Sequence, residues 1–176
     1  MRNVKYRAML RSRVRDTRGF MLGEHLISIL FIGLLCVAVT AGLQAAMSSY
    51  SRITVQTKAN AMLMQAVEEV SDELTYALEV EGDGVQSDEN PLYFTSSTRH
   101  EIALLQSDGQ QGIWLNAEGA QALLAPAEDG LTPRLEMLSY NAASKTWSFE
   151  LGVYAEGNVA QEALAKTTMN VLRIGS

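Results

Sequence analysis

The chemistry suggested by residue type and spacing lies near the amino end. The chain reads Arg18-Gly19-Phe20-Met21-Leu22-Gly23-Glu24, and an apolar run begins at Leu26. Glu24 stands at the threshold of a segment that carries no other charge. An ionised carboxylate in hydrocarbon is costly unless it is paired, so an acid placed there calls for a cation. Hydrolysis of the bond between Gly19 and Phe20 would supply one. It would remove nearly all the positive charge before it and leave a free α-amino group on Phe20. Glu24 would become the fifth residue of the new chain. The plainer role for Glu24 is to offset the positive end of a helix, worth about 0.3–1 kcal/mol.

The elements around these residues are legible. Residues 1–19 hold seven basic side chains and one acid, a charge of +6 in a chain whose formal net charge is -6. The remainder therefore carries -12. A basic leader before an apolar run favours retention of the amino end in the cytoplasm. From Leu26 to Tyr50 the 25 residues include no charge. As a helix they would extend roughly 37 Å, enough to cross a bilayer with some tilt. Eleven Leu, Ile, Val or Phe residues between Leu26 and Leu43 contribute about -3 to -7 kcal/mol to insertion. A cleaved secretory signal fits poorly, because the run is long and no well-placed small-residue site ends it. Cys36 is the only cysteine, so an intramolecular disulfide and a thiolate zinc site are both excluded.

With those residues in view, the string RGFMLGEHLISILFIGLL resembles the amino-terminal processing and methylation segment of type IV pilins and pseudopilins. The likeness covers about thirty residues. It implies that a prepilin peptidase of the membrane cuts after Gly19 and methylates Phe20. It also implies that Glu24 of an incoming subunit pairs with the amino group of Phe20 on a subunit already assembled. Implied partners are the peptidase, sibling pilin or pseudopilin subunits, a membrane assembly platform and membrane lipid. Gly23 stands where a bulky aliphatic is usual, and His25 where another apolar residue is usual. Ala41 and Gly42 occupy the neighbourhood in which major pilins often carry proline, which points to a minor subunit.

Beyond Tyr50 the chain turns polar but keeps a helical period. Ala59, Leu63, Ala66, Val67, Val70, Leu74, Ala77 and Leu78 recur at intervals of three and four, opposite a face of acids. With no proline or glycine between Leu43 and Glu81, the pattern predicts one nearly continuous helix from Met21 to Val80. The stretch from Glu81 to Pro91 is rich in turn formers and reads as a solvated loop, since its acids do not have EF-hand spacing. Strands are expected at Leu92 to Thr95, Glu101 to Gln106, Ile113 to Leu115, Gln121 to Ala125, Leu135 to Tyr140, Thr146 to Tyr154 and Thr168 to Ile174. Trp147, Phe149, Leu151 and Val153 alternate with Ser148, Glu150, Gly152 and Tyr154, the period of a half-buried antiparallel strand. Ala160 to Lys166 is ambiguous between helix and strand. Trp114 and Trp147 read as packing aromatics.

The expected fold is thus α+β and pilin-like: a long amino-terminal helix, half membrane segment and half amphipathic, packed on an antiparallel β-sheet. The expected divisions are 1–19, a leader that is removed; 20–50, a transmembrane and assembly helix; 51–80, its amphipathic continuation; and 81–176, an extracytoplasmic head. No catalytic motif appears, and no metal or cofactor is called for. His25 and His100 fall on opposite sides of the membrane in this reading, and neither a nucleophile elbow nor a phosphate loop is present. The acidic remainder argues against direct nucleic-acid binding. The expected function is structural: a minor pilin or pseudopilin in a filament for adhesion and motility, DNA uptake or secretion. The competing class is a monomeric, membrane-anchored extracytoplasmic binding module.

Overall fold

The structure, a computed structural model, describes residues 17–117, 120–155 and 162–175, with side chains in the helix given from residue 22. The chain divides into two compact units, Met1–Arg52 and Ile53–Ser176. Helix α1 (Thr17–Thr75) contributes to both.

In the first unit the described side chains all belong to α1 and are exposed. This helix is long and apolar enough to cross a membrane, which is consistent with membrane anchoring. Three of its hydroxyls are satisfied within the helix. Ser28 Oγ donates to the Glu24 carbonyl at 2.9 Å, Thr40 Oγ1 to the Cys36 carbonyl at 2.8 Å and Ser48 Oγ to the Ala45 carbonyl at 2.9 Å. Where water is scarce, this internal bonding removes the cost of a bare polar group.

The second unit is an α+β head, as expected, with the end of α1 packed on antiparallel sheet. The buried stripe of the helix is Ala59, Leu63, Ala66, Val70 and Leu74, one residue every three or four. It shares a core with Trp147, Phe149, Leu151 and Val153, all 0% exposed. Met62 packs at the margin of this core while Met64 faces outward.

The strands form two sheets, where the sequence suggested one. The first has the order β1-β3-β4-β5-β6, made of Val80–Glu81, Tyr93–Thr95, Ile102–Asp108, Gly112–Ala117 and Ala120–Pro126. The second has the order β2-β7-β8-β9, made of Gly84–Val85, Leu131–Asn141, Thr146–Ala155 and Ala165–Leu172. All described pairings are antiparallel. The chain changes sheets at Ala127–Gly130, where Asp129 and Gly130 take positive φ values of 54° and 74°. That left-handed turn redirects the backbone before β7, so β7 pairs with β8 and not with β6. β9 starts at Ala165, which settles the ambiguous stretch as strand from that residue onward; residues 160 and 161 lie outside the described residues.

The helix also ends earlier than its pattern predicts, at Thr75 and not at Val80. Competing hydrogen bonds explain this. The Thr75 carbonyl accepts Ile174 N–H at 2.8 Å and Gly175 N–H at 3.3 Å, which caps the helix from the far end of the chain. Leu78 N–H donates to the Thr95 carbonyl at 3.0 Å, and Thr95 N–H to the Glu79 carbonyl at 2.8 Å. The next residues are therefore drawn into the first sheet. The 81–91 stretch, expected as loop, likewise gives up Gly84–Val85 to β7.

Candidate functional site

The site foreseen at the amino end is carried by one element. Gly19 and Phe20 fall in the first turn of α1, and their side chains lie outside the described residues. Glu24 follows Phe20 by four positions, which places the two on one face of the helix one turn apart. The Glu24 side chain is exposed. Among the described residues, no hydrogen bond or ion pair engages its carboxylate; only its backbone carbonyl is used, by Ser28. His25 is exposed beside it. From Leu26 onward Ile27, Leu30, Phe31, Leu34 and Leu35 are each more than half exposed. Among the described residues of the first unit, nothing is folded over this apolar surface, which is headed by one acid. Such a surface is suited to lipid or to other helices, and an acid at its head to a cation brought by another molecule.

The head has a second concave feature, which sequence reasoning missed. A cleft of about 770 Å³ opens where β4, β5 and β6 meet β7. Two hydrogen-bond sets join the sheets there. Ser107 Oγ donates to the Leu135 carbonyl at 3.2 Å and accepts Leu135 N–H at 3.0 Å. Gln86 Nε2 donates to the Leu105 carbonyl at 2.8 Å. At its rim the Asp108 carboxylate accepts the N–H groups of Gln110 at 3.1 Å, of Gln111, and of Gly112 at 3.1 Å. The Asp108 carboxyl is held below the usual carboxylate value, chiefly by the Gln111 N–H. Partial desolvation opposes this, and the N–H groups of Gln110 and Gly112 and the indole of Trp114 add to it.

The two tryptophans part company. Trp147 is fully buried, 4.5 Å from Tyr140 and 5.9 Å from Phe94 between ring centroids, as a packing aromatic should be. Trp114 is only partly covered and lines the cleft. The signal that separates them is alternation along β5: Ile113 and Leu115 are buried, so Trp114 between them falls on the opposite face. Of the acids in the 81–91 stretch, Asp83 serves structure: its Oδ1 accepts Ala142 N–H at 2.9 Å. Among the described residues, no group of three or more His, Cys, Asp or Glu is placed to hold a metal ion. Set beside known protein families, characterised proteins and solved structures, the chain finds no match, so its reading rests on its own residues.

Proposed function

We propose that this chain is a minor pilin or pseudopilin, cut between Gly19 and Phe20, methylated on Phe20 and assembled through Glu24 into a type IV pilus-like filament. The observation that carries the reading is the spacing at the amino end. A leader of charge +6 runs into Gly19-Phe20, Glu24 follows as the fifth residue past that bond, and a charge-free run follows Glu24. The uncovered apolar helix supports it. A side chain such as Leu30 or Phe31 gains about 1.5–3 kcal/mol when it leaves water, and this one unit offers it no cover. Lipid supplies that cover before assembly, and the helices of neighbouring subunits supply it afterwards.

The pairing step follows from charge. Leaving the Glu24 carboxylate at membrane depth costs about 2.5–3.5 kcal/mol on insertion scales. The freed amino group of Phe20 carries the same kind of penalty. Contact between the two across subunits removes both and fixes their axial offset, because other offsets leave two charges unpaired. In this reading the amino end faces the cytoplasm, the head is extracytoplasmic, and the filament reaches the cell surface.

Intact mass, measured on the protein made with and without a prepilin peptidase, tests the cut. The expected result is loss of residues 1–19 and addition of one methyl group only when the peptidase is present. Retention of the leader in both samples would refute the reading.

A further inference from the structure

We propose that the cleft between the two sheets is a binding site for a neutral saccharide. The proposal does not depend on filament assembly. It starts from two irregularities in the strands. Along β5 and β6, Ile113 pairs with Ala125 but Trp114 pairs with Leu123, so β6 carries one extra residue beside Trp114. Along β7 and β8, Leu135 pairs with Leu151 but Met137 with Glu150, so Glu136 is an extra residue on β7. Both bulges border the same cleft. A bulge re-aims side chains and releases backbone groups from the ladder. Beside the second bulge, Ser107 Oγ engages the N–H and C=O of Leu135.

The lining defines the ligand by its chemistry. Five side-chain amides, Gln86, Gln106, Gln111, Asn116 and Gln121, face one space. An amide carries two N–H donors and an acceptor; here Gln86 Nε2 is engaged by the Leu105 carbonyl and Asn116 Nδ2 by Gln106 Oε1, and the remaining donors and acceptors match the mixed character of sugar hydroxyls. Gln86 Oε1 and Asn116 Oδ1 are shielded from solvent and have no donor among the described residues. An acceptor in that state gains from an arriving O–H. Trp114 supplies a flat apolar face for the C–H face of a pyranose ring. The volume is in the range of small-molecule sites, but the mainly polar wall suits a polyol better than an apolar ligand.

Charge excludes the main competitors. No Lys, Arg or His lines the cleft, while Asp88, Asp108 and Glu136 do. Phosphates, sulfates and acidic sugars are therefore repelled. The carboxylate of Asp108 is already engaged by three backbone N–H groups. Amides outnumber the acids that remain, which favours hydroxyl groups over a basic peptide.

The test uses the full-length chain in a detergent without a sugar headgroup. Tryptophan emission is followed while maltotriose, cellotriose, tri-N-acetylchitotriose and a galactosyl trisaccharide are each added. The expected result is a saturable change with at least one of them, in the high micromolar to millimolar range. The emission change should vanish in Trp114→Phe, where buried Trp147 is the remaining reporter. Calorimetric affinity should fall about tenfold or more in Gln106→Ala and Gln121→Ala, which place no demand on the core. Absence of a saturable response to every saccharide would overturn the proposal. So would binding unchanged in the two glutamine variants, or tighter binding of an oligolysine peptide or of calcium than of any sugar. None of these outcomes bears on cleavage at Gly19, so this proposal and the filament reading fail separately.

Discussion

At the scale of single residues, two carboxylates do different work. Glu24 has no partner within its own described unit, and its proposed partner is the amino group of Phe20 on another subunit. Glu24→Ala should therefore be cut normally, since the bond hydrolysed is five residues upstream. In competition with the unaltered protein it should enter filaments about tenfold less or worse, equivalent to about 1.4 kcal/mol of lost association. Equal incorporation on immunoblots of sheared filaments would remove the pairing step. Asp108, by contrast, is satisfied locally, and its folded carboxyl sits below its unfolded value. Its contribution to stability is therefore complete above the unfolded carboxylate value, about pH 4, and is lost as pH falls through the folded value. Asp108→Asn should flatten the dependence of the urea midpoint on pH below about pH 4, and a slope equal to that of the unaltered protein would count against this role. Glu24 was singled out in the sequence because charge stands out at the head of a charge-free run. The role of Asp108 was not, because its partners are backbone N–H groups that only the turn brings together.

At the scale of elements, α1 serves two environments. Its described side chains up to Arg52 are exposed, while its last turns are built into the head. Leu74 is fully buried and Met64 is 74% exposed. Leu74→Ala should cost about 2–5 kcal/mol through lost burial and the cavity left behind. Met64→Ala should stay within about 0.5 kcal/mol. Similar unfolding midpoints for the two variants would contradict the packing described. The stripe on α1 and the alternation along β8 were both legible, because burial on one face forces a period of 3.6 or of 2. The end of α1 was not. Residues 76–80 have helical pattern and no breaker, yet the Thr75 carbonyl is capped by Ile174 and Gly175, and Leu78 and Glu79 bond to Thr95. Bonds to residues 16 to 100 positions away in sequence outweigh local propensity, which is a weak prior of a few tenths of a kcal/mol per residue.

At the scale of the whole molecule, charge and covering sort the chain into parts with separate tasks. Processing at Gly19 would change the formal net charge from -6 to -12. Isoelectric focusing should therefore show an acidic shift on coexpression with the peptidase, in step with the mass change, and a mass change without that shift would place the cut elsewhere. The charge of the head has the wrong sign to attract nucleic acid or anionic headgroups, and the apolar helix is long enough to cross a membrane. The sequence by itself determined the basic leader, the Gly19-Phe20 bond with Glu24 beyond it, the membrane-length run and the α+β class. These are properties of neighbouring residues, and charge, length and periodicity are written locally. Only the tertiary structure decided that there are two sheets, that α1 stops at Thr75, and that Trp114 and Glu136, each beside a bulge, line one polar cleft. Those outcomes depend on which backbone groups, far apart in sequence, win each other as hydrogen-bond partners, and the apolar pattern is the same whichever pair wins.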